Sequence, residues 1–136
     1  MQNIKKINES QLQKFIDSEH SIMNFQPVIK IDRFGKKNID RIIVLSSHQI
    51  LIFYEGVLKL EIKSNLDIKV LSYIIKSADP ESKEMMLCFS NKNKSCVHVI
   101  LQEDLQEFFD LLKLRWAFFN PNKTLKVFGV PEASLI

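Results

Sequence analysis

The feature that most constrains the fold of this chain is a change in the period of its apolar residues near position 28. From there to about residue 101, the chain is a series of short segments of strand length, each bounded by polar or turn-forming residues. The clearest segment alternates Leu58, Leu60 and Ile62 with charged side chains, as a strand with one buried face does. Strands are predicted at residues 28–34, 41–45, 50–54, 57–63, 66–75, 85–89 and 96–101.

A single amphipathic helix is predicted after these strands, over residues 104–120. Asp104 and Glu107 have the spacing of a capping box, and the helix is expected to end before Pro121. Its apolar residues recur three or four positions apart in one stripe: Leu105, Phe108, Phe109, Leu112, Trp116 and Phe119. This order, seven strands followed by one helix, predicts a mainly β (α+β) fold of the pleckstrin-homology (PH) type. This is a seven-stranded antiparallel β-barrel or sandwich, capped by a C-terminal amphipathic helix.

The N-terminal part of the chain is expected to precede that domain as a separate helix. Residues 1–9 are polar and are predicted to be flexible. A helix is predicted over residues 10–26, because Leu12, Phe15, Ile16, Ile22 and Met23 have helical spacing and Pro27 follows. The PH-like domain then spans residues 27–131, including a short strand-like tail at 125–130.

A basic hairpin connects the first two predicted strands. Its charge sums to +3, which equals the net charge of the whole chain. The cations are Lys30, Arg33, Lys36, Lys37 and Arg41, and the carboxylates are Asp32 and Asp40. Such a patch favours an anionic partner, either a membrane lipid or an acidic protein surface, although charge on an exposed hairpin also simply prevents aggregation. At about 1 kcal/mol per cation, membrane recruitment through this hairpin needs a headgroup pocket or a second contact.

The same stretch resembles the tail homology 1 (TH1) domain of class I myosins. The resemblance covers about residues 25–131, and the C-terminal FGVPEASLI looks like the family's closing segment. The matching residues are Val28, Lys30, Asp32, Arg33, Gly35, Lys36, Lys37 and Arg41. The resemblance implies a PH-like domain that binds phosphoinositides, with Lys30 and Arg41 as headgroup ligands. This chain departs from the family pattern at Ile39, where a cation is expected, and at Asp40.

The predicted C-terminal helix carries apolar residues beyond its main stripe. Leu111, Leu114 and Phe118 lie on an adjoining face, and one end of a barrel covers only one side of a helix. We expect the N-terminal helix to pack there through Phe15, Ile16 and Ile22. The alternative is an exposed protein interface, as in a structural or adaptor subunit of a cytoskeletal assembly, including a ciliary or axonemal one.

The sequence disfavours catalysis, metal binding and nucleic-acid binding. It has three glycines, no Gly-rich phosphate loop and no paired carboxylate motif. Ser46, Ser47 and His48 are adjacent along the chain, so they do not form a triad. Cys88 and Cys96 with His98 lack the paired spacing of a zinc site. A symmetric turn would make the two cysteines cross-strand neighbours, so a disulfide is geometrically conceivable, but a reducing compartment argues against it.

We therefore expect a binding module that is not an enzyme and needs no cofactor. An N-terminus without an apolar leader predicts a cytoplasmic protein whose cysteines are thiols. The membrane periphery or the cytoskeleton, including a cilium, is the expected place of action.

Overall fold

The computed structural model describes residues 8–16, 18–32, 37–56, 59–61, 66–92 and 94–130. Helix α1 (Glu9–Gln13) is followed by strands β1 (Ile22–Asp32), β2 (Lys37–Ser46) and β3 (Ile50–Tyr54). A 3₁₀ turn, Ile68–Val70, then leads into β4 (Leu71–Ser77), β5 (Glu84–Phe89) and β6 (Cys96–Leu101). The chain continues into helix α2 (Leu105–Phe119) and strand β7 (Lys126–Val130).

The strands form one sheet in the order β3-β2-β1-β6-β5-β4-β7. Because β3 and β7 end the sheet on opposite sides, the architecture is a sandwich rather than a closed barrel. A seven-stranded, mainly β fold with a C-terminal helix is the predicted architecture. One pairing differs, since β7 runs parallel to β4 while the other neighbours are antiparallel.

The seventh strand is not one of the segments first predicted as strands. The predicted strand at 57–63 lies largely outside the described residues, and its described part forms one isolated bridge, Leu60 to Phe53. The predicted strand at 66–75 begins only at Leu71, because Ile68–Val70 is a 3₁₀ turn. Residues 126–130, within the predicted strand-like tail, form β7 and supply the seventh strand at the edge of the sheet.

The main core lies between one face of the sheet, which we call the inner face, and helix α2. Alternate residues of the strands point into it, including Val28, Ile43, Ile52, Leu87 and Val99, which are at most 1% exposed. Helix α2 adds its predicted stripe, of which Phe108 and Leu112 are fully buried. The helix therefore covers the sheet as its apolar spacing predicts.

A smaller core lies on the other, outer face of β2 and β3. Leu12 and Ile16 of the α1 region pack there against Ile42, Val44 and Phe53. This explains why residues 42–45 are apolar without alternation, since both faces of β2 are covered.

The N-terminal helix is shorter than predicted and packs elsewhere. It ends at Gln13, and Ile22 already belongs to β1, so the prediction of a helix over residues 10–26 is wrong beyond its first turn. The prediction that this helix covers the second face of α2 is also wrong, because α1 lies on the outer side of the sheet. Residues 1–7 lie outside the described part, while Asn8 caps α1.

Two candidate binding surfaces

The first candidate surface lies at the hairpin end of β1 and β2, where side chains of both strands contact Glu61. The cross-strand pairs Val28–Arg41 and Lys30–Ile39 place Lys30 and Arg41 on the same, inner face of the sheet. Lys30 Nζ lies 3.1 Å from Glu61 Oε1, and Arg41 Nη2 lies 3.2 Å from Glu61 Oε2. The two cations predicted to bind a headgroup therefore converge on one carboxylate. We call Lys30, Arg41 and Glu61 the rim cluster.

Aromatic and basic neighbours extend the rim cluster. The Arg41 guanidinium lies 4.4 Å from the centre of the Tyr54 ring, and Lys59 Nζ lies 5.8 Å from the same centre. Arg41 also donates from Nη1 to the Asp40 carbonyl oxygen at 2.8 Å. Its Nε is buried and makes no hydrogen bond to the described residues. The cluster thus has the form of an anion site whose central position is taken by the chain's own carboxylate.

The other predicted hairpin residues are not gathered into this cluster. Lys37 and Asp40 are exposed on β2. Arg33 and Lys36 lie outside the described residues, as does Gly35. Sequence reasoning missed Glu61, Tyr54 and Lys59. The alternation at 57–63 could have found part of this group, because it places Lys59 and Glu61 on one face.

The second candidate surface is the outer side of α2. Leu114 is 69% exposed and Phe118 is 65% exposed, the largest exposed fractions among the big apolar side chains of the described residues. Leu111 is partly buried against the main core. Of the three predicted interface residues, two are therefore open to solvent and one supports the core. We call Leu114 and Phe118 the α2 ridge.

Cations flank the α2 ridge. The Arg115 guanidinium lies 4.2 Å from the Phe118 ring centre, and its Nε donates to the Ser47 carbonyl oxygen at 2.5 Å. Lys113 Nζ lies 4.6 Å from the Phe109 ring centre. Residues 111–130 contain four cations, Lys113, Arg115, Lys123 and Lys126, and no carboxylate. This run of four cations is a second basic stretch, which the prediction centred on the β1–β2 hairpin did not include.

The two candidate surfaces lie at opposite ends of β2. Arg115 contacts Ser47, which directly follows β2, whereas Arg41 is six residues earlier on that strand. At about 3.3 Å per residue, these points are about 20 Å apart along the strand. The rim cluster and the α2 ridge are therefore separate sites.

Several histidines elsewhere make contacts inside the fold. His98 Nε2 lies 2.6 Å from Glu84 Oε2, both on the outer face of the sheet. The rings of His20 and His48 stack with centres 3.8 Å apart. Within the described ranges, no three histidine, cysteine or acidic residues are grouped as metal ligands. No helix in the same ranges is long and apolar enough to cross a membrane.

Comparison with known proteins finds likeness in fold alone. No family model matches the chain, and no curated protein sequence matches it. The hSac2 domain from the human phosphoinositide phosphatase Sac2 is 14% identical, with a TM-score of 0.61, over 95% of this chain and 88% of that one. The N-terminal PH domain of human ARAP2 is 7% identical, with a TM-score of 0.59, over 74% and 84% of the two chains.

A third neighbour comes from a complex. The DH/PH domain of human ARHGEF11, solved with human RhoA and its inhibitor, is 14% identical with a TM-score of 0.61. The match covers 78% of this chain and 32% of that one. The protein therefore has a PH-like fold.

Proposed function

We propose that this chain is a non-catalytic, PH-like adaptor that docks an acidic protein segment on its α2 ridge. It acts in the cytoplasm, in a cytoskeletal assembly or at the periphery of a membrane. The observation that carries the proposal is the exposure of Leu114 and Phe118 on a helix whose opposite face is buried. Large apolar side chains exposed side by side typically mark an interface.

The charges beside the ridge favour an acidic partner. Arg115 is held against Phe118 by its ring contact and by its bond to Ser47, so its position is fixed before any partner arrives. Lys113 adds a second cation on the same helix. A second copy of the chain would bring the same cations to the interface, and like charges repel. A helix with leucines on one side and carboxylates on the other matches both properties of the ridge.

A labelled model peptide tests this proposal. We expect an amphipathic helix of leucine and glutamate to bind the protein, and its leucine–lysine counterpart to bind much more weakly. Replacing both ridge residues (Leu114→Ser with Phe118→Ser) should weaken binding by at least about tenfold, because each removes apolar contact area. Fluorescence polarisation of the labelled peptide measures the affinity.

The control variant is Phe128→Ser. Phe128 is 49% exposed, but it contacts Tyr73 on the outer face of the sheet, away from α2. An equal loss of affinity in this variant would contradict assignment to the ridge. Binding of both peptides alike, or binding only to anionic vesicles through Leu114 and Phe118, would overturn the proposal of an acidic protein partner.

Headgroup binding at the rim cluster is the second candidate function. It is supported by the convergence of Lys30 and Arg41 and by the unused Nε donor of Arg41. It also rests on the sequence resemblance to the TH1 domain, which we retain as a proposal. Glu61 disfavours headgroup binding, because its negative charge cancels one of the two positive charges and its two oxygens contact both cations. We therefore rank it below protein docking.

Glu61→Gln tests the second function. If Glu61 occupies a headgroup site, this variant should bind phosphatidylcholine vesicles containing a bisphosphorylated phosphoinositide about five- to tenfold better than wild type, since one unit charge near a membrane is worth about 1 kcal/mol. Adding Lys30→Ala and Arg41→Ala should remove the gain. Vesicle co-sedimentation at low salt measures the binding.

Asp40→Asn is the matched charge control for this experiment. It removes one carboxylate from the same hairpin, but Asp40 is exposed and is not part of the rim cluster. An equal gain in this variant would show that only net charge matters. Absence of pelleting for both wild type and Glu61→Gln would exclude the headgroup function.

A further inference from the structure

The two cysteines of the chain face each other across the β5–β6 hairpin. Cys88 on β5 and Cys96 on β6 are direct partners in the register of this antiparallel pair. Neither is in a disulfide. Their position on the outer face separates them from α2, because the alternate residues Leu87 and Val97 point into the main core.

The hydrogen bonds of the hairpin show which kind of pair they form. Phe89 N donates to Ser95 O at 2.8 Å, and Leu101 N donates to Lys83 O at 2.9 Å. Antiparallel pairs alternate between hydrogen-bonded and non-hydrogen-bonded, so Cys88–Cys96 is a non-hydrogen-bonded pair. The Cα atoms of such a pair are about 4.5 Å apart, within the roughly 4.4–6.8 Å range that a disulfide spans.

The two thiols differ in access to solvent. Cys96 is exposed, whereas Cys88 is only 2% exposed. On β4, the other neighbour of β5, Tyr73 is the register partner of Cys88. A hydrogen bond between the Tyr73 hydroxyl and Cys88 raises the pKa of Tyr73 above its ordinary value of 10.0, and electrostatic interaction with Cys88 and Cys96 adds to it. Both sulfurs therefore lie near one phenol, which can report on their state.

We propose that Cys88 and Cys96 are an oxidisable dithiol that closes into an intramolecular cross-strand disulfide. Hydrogen peroxide is the oxidant. The Cys96 thiolate attacks one peroxide oxygen, and the O–O bond breaks. The other oxygen leaves as hydroxide and takes up a proton to become water, while Cys96 becomes a sulfenic acid. The Cys88 thiolate then attacks the Cys96 sulfur, the S–O bond breaks, and a second water leaves. Two thiols lose two electrons and two protons, and one peroxide becomes two waters.

The register of the hairpin selects this product. Cys96 reacts first because it is exposed, and its nearest thiol is fixed opposite it on the same face. The new bond closes residues 88–96 into a loop and fastens β5 to β6 at the turn end of their pairing. It also removes the thiol that hydrogen bonds to Tyr73, so the pKa of this phenol should fall back towards 10.0.

Peroxide treatment of the full chain, followed by alkylation and mass spectrometry, tests the proposal. We expect both thiols to disappear together, a Cys88–Cys96 linked peptide to form, and the protein to stay monomeric on a non-reducing gel. Reduction with dithiothreitol should restore both thiols. Alkaline absorbance titration of Tyr73, in a Tyr54→Phe background, should show the lower pKa in the oxidised form only.

Single variants separate the two steps. Cys88→Ala should stop at a Cys96 sulfenic acid that dimedone traps, and Cys96→Ala should slow loss of the Cys88 thiol by at least about tenfold, because burial protects it. Disulfide-linked dimers through Cys96 in the wild type would overturn the proposal, as would a wild-type sulfenic acid at Cys96 beside a persistent Cys88 thiol. The wild-type measurements decide the matter even if Cys88→Ala fails to fold.

Discussion

At the scale of single residues, a buried amide joins the start of α2 to the sheet. The Gln26 side chain, 2% exposed on β1, accepts from the backbone N–H groups of Glu103 and Asp104 through Oε1, at 3.1 and 3.0 Å. Its Nε2 donates to the carbonyl of Asp104 at 3.1 Å and to Asn24 Oδ1 at 2.9 Å. One side chain thus satisfies the backbone N–H groups of the two residues just before α2, which the helix itself does not bond. It fixes where α2 leaves the sheet, and hence where the α2 ridge lies.

Replacing Gln26 with Leu should lower the free energy of unfolding by about 1–3 kcal/mol. The change keeps a similar volume but removes the four hydrogen bonds of a buried side chain, two of them from backbone N–H groups. Urea denaturation measures the effect. Gln102→Leu is the matched control, because Gln102 is exposed and should change stability by less than about 0.5 kcal/mol. Equal effects of the two variants would contradict the role assigned to Gln26.

At the scale of elements, the two helices act on opposite faces of the sheet. Helix α2 closes the main core with Phe108, Leu112 and Trp116, and the Trp116 indole N–H donates to the Leu71 carbonyl at 2.8 Å. Helix α1 is only one turn and cannot be stable alone. Its position depends on burying Leu12 and Ile16 on β2 and β3. Because α1 is used there, no described element covers the α2 ridge.

Leu12→Ala tests whether α1 is part of the stable fold. Leu12 is fully buried, so we expect a loss of about 2–3 kcal/mol in the free energy of unfolding, from lost transfer energy and the cavity left behind. Lys14→Ala, at an exposed neighbouring position, should have almost no effect. If thermal and urea denaturation showed no difference between these variants, the packing of α1 on β2 and β3 would not stabilise the protein.

At the scale of the whole molecule, the sheet separates three sites. The rim cluster lies at the hairpin end of β2, the α2 ridge lies beyond its other end, and the cysteine pair lies on the outer face. Because the three sites share no residue, each can be altered without changing another.

The sequence predicted most of the fold because most of its signals are local. The strands around residues 41–45, 50–54, 85–89 and 96–101 and the helix after Asp104 lie where alternation and capping place them. Residues 22–26 were predicted as helix, because Ile22 and Met23 continue a helical spacing, yet they pair with β2. The pairing with β2 contributes more to the stability of this segment than the local preference of its residues does. Local preference is a weak guide to strand formation, because it depends on the neighbours that a strand packs against.

The sites were predicted less completely than the fold. The sequence indicated Lys30 and Arg41 as a pair, and two strands with known faces are enough to place them together. It also indicated Leu114 and Phe118 as a face beyond the main stripe. It could not indicate that Glu61 lies between the two cations, because that depends on a third segment whose distance from β1 is set by the whole sheet.

The amino-acid sequence by itself determined most of the strands, the amphipathic helix and the basic character of its C-terminal half. These follow from the spacing of residues within one segment, and spacing is written in the chain. The tertiary structure decided that α1 packs under β2 rather than on α2, that β7 joins β4 in parallel, and that Glu61 holds the rim cations. The energies of packing and ionic contacts fall off within a few ångströms. They therefore depend on which distant segments of the chain meet, and only the folded structure fixes which segments those are.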